Sequence, residues 1–208
     1  MNNCIGLLIF LATFGLHSIA SAQYGYSEDS SFSSSGSSKT EFIMGLAFFY
    51  TGDNFELSVD RNRSDLLLQG TLGYRYNDWL FGLNYDSDTE KQSFISGTTV
   101  QNVSWTRTAI GATIGYFLSS VLVSATYYVS PELNTTDELG SLSTDYSNSS
   151  GVQFTIGYNY KIIPEVSLGL QLAYRSFQYK QSATTTGSSD GLFRQAMVDP
   201  MLVLMVHL

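Results

Sequence analysis

The sequence predicts an all-β chain, an eight-stranded antiparallel up-and-down barrel that crosses a membrane with its strands. Three observations carry this prediction. From Glu41 onward, apolar residues recur with a period of two rather than 3.6. The connections between the alternating segments are short and long by turns. Charge is low without high hydropathy: 13% of residues are Asp, Glu, Lys or Arg and 43% are hydrophobic, whereas an ordinary soluble domain carries ~25% charged residues.

Two segments precede the alternation. Residues Met1–Ala22 contain no Asp, Glu, Lys or Arg, and enclose the apolar run Ile5–Leu16 ahead of Ala20-Ser21-Ala22. That is the pattern of a secretory signal peptide cut after Ala22. The run is too short for a transmembrane helix, which needs ~20 apolar residues. The single cysteine, Cys4, leaves with the signal, which excludes a disulfide scaffold. Residues 23–39 are Ser-rich and lack an apolar period, and they read as a flexible periplasmic segment. Residues 40–208 are assigned to the barrel.

Each strand follows from its own alternation. Glu41–Tyr50 sets Phe42, Met44, Leu46, Phe48 and Tyr50 against Glu41, Ile43, Gly45, Ala47 and Phe49. Leu66–Tyr76 and Trp79–Asp86 follow, the first with Leu66, Leu72, Tyr74 and Tyr76 on its apolar face and the second with Trp79, Phe81, Leu83 and Tyr85. Ser104–Leu118 and Val121–Ser130 carry Ile110, Ile114 and Tyr116, then Val123, Tyr127 and Val129. Gly151–Tyr160 presents Val152, Phe154, Ile156, Tyr158 and Tyr160. Val166–Lys180 presents Leu168, Leu170, Leu172 and Tyr174, and Gln195–Leu208 presents Val198, Leu202, Leu204, Val206 and Leu208. Most of these lengths are near the ~9–11 residues of a tilted membrane-spanning strand.

Asn77-Asp78, Ser119-Ser120 and Lys161–Glu165 read as tight turns. Thr51–Asp65, Ser87–Val103, Pro131–Ser150 and Gln181–Arg194 read as long polar loops. Short turns at one end and long loops at the other, with an even strand count, place both termini in the periplasm.

The second face of the strands decides against a soluble sandwich, whose solvated face would carry Lys and Glu. Here it carries Gly, Ser, Thr, Asn and Gln, including Gly45, Gly73, Gly82, Gly111, Gly115, Gly157 and Gly169. Glycine weakens a solvated strand but suits a narrow lumen filled from every wall. Aromatic residues bracket the apolar face. Tyr74, Tyr76, Trp79, Tyr116, Tyr158 and Tyr160 flank the short turns, and Tyr50, Tyr85, Tyr127 and Tyr174 lie toward the long loops. Two such girdles mark two membrane interfaces.

On these features Glu41–Leu208 resembles the small eight-stranded bacterial outer-membrane barrels of the OmpA-type transmembrane, OmpX or OmpW kind. The resemblance covers all but the signal and the Ser-rich segment. It implies recognition of the alternating last strand, with Leu204, Val206 and Leu208, by the barrel-assembly machinery. In such families that strand ends in Phe, where this chain has Leu208. With the eighth strand last, no peptidoglycan-binding domain is expected after it.

The few strand charges can be paired by register. A first hairpin centred near Ser58 sets Glu41 opposite Arg75, and a last one centred near Gly187 sets Arg175 opposite Asp199. The Ser119-Ser120 turn sets Arg107 opposite Glu132, and the Asn77-Asp78 turn sets Gln69 opposite Asp86. Buried charges need partners, and eight strands leave little room for a channel. An ion-paired plug is therefore expected rather than a pore. Pro200, within a strand that must pair on both sides, is expected to impose a bulge or kink.

The net charge of −8 argues against nucleic acid as a partner. It resolves mainly into the loops, above all Glu132, Asp137, Glu138 and Asp145 in the third. Phe55, Leu57 and Val59 alternate with polar residues, so the first loop can project as a hairpin open to strand addition. No metal-ligand spacing, phosphate loop or cysteine nucleophile occurs, and neither a cofactor nor a catalytic residue is expected. His17 leaves with the signal, and His207 reads as a lumen or rim histidine at the periplasmic end. No Ser-His-Asp set can form at the outer rim. The sequence thus points to a non-enzymatic structural or surface-interaction barrel. Its expected partners are outer-membrane lipid, lipopolysaccharide, the assembly machinery and an extracellular protein met by the loops. The rival readings are an OmpW-like conduit for small hydrophobic molecules and a lipid-modifying enzyme.

Overall fold

The computed structural model describes residues 40–55, 61–96, 99–137, 143–184 and 187–208. The segments read above as a signal peptide and a Ser-rich stretch, and the Leu57–Val59 tip, lie outside the described residues. The strands are β1 Thr40–Phe55, β2 Arg61–Tyr76, β3 Trp79–Ser96, β4 Thr99–Leu118, β5 Val121–Asp137, β6 Ser143–Ile163, β7 Val166–Thr184 and β8 Gly187–His207. They close in sequence order into one antiparallel barrel, β8 returning to β1.

The long connections differ from the sequence expectation. Most of each expected loop is strand: β3 and β4 stay paired out to Ser96↔Thr99, and β7 and β8 out to Thr184↔Gly187. These outer halves lack a regular apolar alternation, so a hydrophobic period does not report them, yet the backbone ladder needs no apolar side chain. Strands of 16 to 21 residues exceed the ~9–11 that a bilayer requires.

At the other end the turns are minimal. Asn77-Asp78 joins Tyr76↔Trp79 and Ser119-Ser120 joins Leu118↔Val121. Asn77 and Ser119 take φ of 55° and 59°, the left-handed region in which Asn is enriched. The third turn is Pro164-Glu165 alone, because β6 and β7 pair as far as Ile163↔Val166.

The register also shifts at Lys161/Ile163 and Tyr179/Gln181, and two further irregularities bear on the site. Between β4 and β5 the pairing shifts at Thr108/Ile110, opposite Ser130, whose φ is 48°. The extra residue turns Pro131 and Leu133 inward and Glu132 outward. The second irregularity is at the closure. Phe42 and Leu208 exchange backbone hydrogen bonds at 2.9 and 2.8 Å, so even-numbered residues of β8 aim their backbone groups at β1. Pro200 is the even-numbered residue due opposite Tyr50, and it has no N–H to give. The β1–β8 ladder runs from Ile43↔His207 only to Phe48↔Leu202. Against β7, Pro200 stays in register opposite Leu172. The expected bulge is therefore replaced by an early end to the closing ladder.

Candidate functional site

Inward-facing side chains fill the lumen in layers. Nearest the short turns lies a polar mouth. Above it Ile43, Ala47, Leu67, Leu80, Phe117, Leu122, Met201, Val203 and Met205 form an apolar cluster. The expected lumen of Gly, Ser, Thr, Gln and ion pairs is thus corrected. Glycines leave space that larger neighbours take: the Phe177 ring lies where a Cβ on Gly151 would project, and Leu80 covers Gly73. Further up, the Gln69 amide donates to Asp86 (2.7 Å) and Gln153 (2.9 Å), and the Tyr128 hydroxyl donates to Gln153 (2.9 Å). Tyr128, Leu133, Phe177 and Tyr179 make a second apolar cluster toward the long hairpins.

Between the clusters sits a buried charge network centred on Arg175. Its Nε donates to Asp199 Oδ2 (2.7 Å) and its Nη2 to Asp88 Oδ2 (3.2 Å), with Asp86 Oδ2 3.6 Å from Nη1. Arg107 shares Asp88 at 3.2 Å. It also donates to Gln195 Oε1 at 3.0 Å and lies 4.6 Å from the Phe177 ring centre. Two expected facing pairs are corrected. Arg107 stands opposite Leu133, and the exposed Glu132 opposite Thr108, because of the bulge at Ser130. Arg175 stands opposite Met197 and Asp199 opposite Ala173. The long Arg175 side chain still reaches Asp199 along the diagonal. Asp65 lies one residue beyond Leu66 and the apolar belt. Burial first, then a hydrogen bond and charge repulsion from Asp88, push its carboxyl up to about 7.

At the short-turn mouth a cavity of about 400 Å³ is lined by Glu41, Arg75, Phe117, Ser119, Ser120, Asn159, Lys161, Ser167 and His207. Glu41 and Arg75 are register partners, with Nη1 2.7 Å from Oε1. His207 Nδ1 lies 3.3 Å from the same Glu41 oxygen, and its Nε2 lies 3.1 Å from Ser167 Oγ. Arg75 and His207 thus both bond the Glu41 carboxylate. An ionised carboxylate only accepts, so the Nδ1 N–H is the donor to Glu41, the arrangement in which Nε2 of a neutral ring would accept from Ser167. Asn159 is 7% exposed, and neither atom of its amide meets a partner among the described residues.

The outward faces carry the apolar residues. Tyr74, Tyr76, Trp79, Tyr158 and Tyr160 ring the short-turn end, with half-buried Tyr116 packed edge-on against Trp79 at 5.1 Å. Tyr50, Tyr85, Tyr127 and Tyr174 are exposed toward the long hairpins. Between the two rings Leu72, Leu83, Ile114, Phe154 and Leu170 are bare, Leu170 at 69% exposure. Leu204, Val206 and Leu208 share that outer face.

No family model matches the chain, and no curated protein does. Among solved structures it is similar to Neisserial surface protein A, at 16% identity and TM-score 0.41, over 81% of this chain and 98% of that one. It is also similar to the outer membrane protease OmpT from Escherichia coli, at 9% identity and TM-score 0.40, over 82% and 96%. A major outer membrane protein from Thermus thermophilus matches at 10% identity and TM-score 0.38, over 82% and 100%. The chain is a closed eight-stranded antiparallel β-barrel. Its closed ring, bare apolar belt and paired aromatic girdles are the properties that a bilayer demands of a β structure.

The mouth of this barrel is where sequence reasoning went least far. His207 lies inward at the short-turn end, but its bonds to Glu41 and Ser167 were missed, because they span 166 and 40 residues. The usable signal was closure itself, which sets the start of β1 beside the end of β8.

Proposed function

We propose that this barrel is a structural and surface-interacting protein of the outer membrane, with its short turns in the periplasm and its long hairpins outside. The observation that carries the reading is the filled lumen. Two apolar clusters and the wholly buried Arg175 network occupy the interior, and eight strands enclose little more than their own side chains. What the chain presents to its surroundings is then its outside: a lipid belt, and four strand pairs that rise beyond it with polar side chains such as Lys91, Glu132 and Asn134. Lipopolysaccharide and an extracellular protein are the partners this surface suits, and the assembly machinery reads the last strand.

The test is planar-bilayer conductance of the refolded barrel, with folding shown by faster migration of the unboiled protein in a gel. A silent membrane is expected, and steady single-channel steps would sink the plugged reading. One observation favours a second reading, a lateral conduit for small hydrophobic molecules: the β1–β8 ladder ends at Phe48↔Leu202. Uptake of a small apolar solute that survives a disulfide engineered across this seam would remove it.

A further inference from the structure

We propose that the short-turn mouth holds a serine-nucleophile site, with Ser167 as nucleophile and His207 as general base, for a short-chain acyl ester. The three side chains come from three strands and are joined in series: Ser167 Oγ to His207 Nε2 at 3.1 Å, and His207 Nδ1 to Glu41 Oε1 at 3.3 Å. That is the serial order nucleophilic catalysis needs, the base within reach of the hydroxyl and a third group fixing the base. Arg75 keeps Glu41 in place at 2.7 Å. Glu41 is thus a positioning residue that sets the histidine tautomer.

A second, independent feature points to a ligand. The amide of Asn159, more than nine-tenths buried, meets no partner among the described residues and lines the same cavity as Ser167. A buried unpaired amide is costly, and its NH₂ is a donor of the type that stabilises an oxyanion. Lys161, the register partner of Ser167, adds a cation at the same wall. Phe117 supplies the apolar surface for a short acyl chain, and the cavity of about 400 Å³ limits its length.

The step balances without any further reactant but water. His207 Nε2 takes the Ser167 proton as Oγ bonds to the carbonyl carbon, and the oxyanion forms. Its collapse breaks the ester C–O bond, and the departing alkoxide takes the proton from His207. Water, deprotonated by His207, then releases the acyl group as a carboxylic acid and restores Ser167. The site stands whichever side of the membrane the mouth faces, and its failure would leave the structural reading untouched.

The experiment treats the refolded full-length barrel with diisopropyl fluorophosphate and locates the label by peptide mass. The expected result is a diisopropylphosphoryl group on Ser167, formed about 100-fold more slowly in H207Q. With p-nitrophenyl acetate, S167A should lose turnover, and E41Q should lower kcat with KM unchanged. A correctly folded wild-type barrel that takes no label on Ser167 overturns the proposal. Labelling equally fast in a folded H207Q barrel also overturns it.

Discussion

Arg175 is wholly buried and touches three carboxylates, those of Asp199, Asp88 and Asp86. A guanidinium in such a place is held by its partners rather than by solvent, and removing one side of a buried ion pair strands the other. R175A should therefore lower barrel stability by about 3–5 kcal/mol, read as a drop in the urea midpoint of the heat-modifiable band. A smaller loss in the double variant R175M/D199L would show that the stranded carboxylate carries much of the cost. Asp65 gives a separate residue-scale expectation. Its carboxyl titrates at about 7 in the folded barrel against an ordinary 3.8. The folded state binds that proton more tightly than the unfolded chain, so its contribution is full at low pH and fades as pH rises through about 7. The urea midpoint should fall between pH 5 and pH 8, and D65N should flatten that fall. An equal slope in D65N would refute the assignment.

At the scale of elements, the closing ladder is the weak seam, and one residue accounts for where it ends. Pro200 has no donor for Tyr50, and pairing to β1 stops at the preceding pair on that side, Phe48↔Leu202. P200V supplies the donor and a side chain suited to a strand. The expected outcome is slower amide exchange at Tyr50 and position 200, with little change at Leu172 on the β7 side. Unaltered exchange at Tyr50 would show that something other than the missing N–H holds the seam open. The elements also show what a sequence can express. The two-residue turn at Asn77-Asp78 sets local register, which is why Gln69 meets Asp86, and the hairpin centred near Ser58 sets Glu41 opposite Arg75. The bulge at Ser130 carries no such mark, and it alone moves Glu132 outside. The outer halves of the strands lack a regular apolar alternation and read as loops, although their backbones pair. The Ser167–His207–Glu41 series depends on ring closure, which no local window contains. Glycine was readable as a requirement for close approach but not for which neighbour approaches. A Cβ on Gly82 would sit 2.6 Å from the Leu72 carbonyl oxygen, a contact between two backbones.

For the whole molecule, the deciding property is the inversion of its faces. A soluble β protein buries its apolar face and wets the other. Here the inner face holds Arg175, Asp86, Gln153 and Thr126 beside its apolar clusters, while Leu170, Leu83, Ile156 and Phe154 stand bare outside. Leu170 separates the two environments most sharply. It is 69% exposed to whatever surrounds the barrel, and it lies between Leu168 and Leu172, with Tyr158 opposite and Tyr174 above. If water surrounded it, L170R would change stability by about 0.5 kcal/mol or less, as exposed substitutions usually do. With hydrocarbon around it, an arginine within the belt should cost up to about 2–4 kcal/mol, and the cost should shrink toward the girdles. The measurement is reversible urea unfolding of the barrel in phospholipid vesicles, comparing L170R with the same change at Lys180, beyond the outer girdle. A large loss for L170R beside a negligible one for K180R is the expected pair. Equal, small effects at both positions would mean that the belt does not face lipid, and the reading of this chain as a membrane barrel would fall with it.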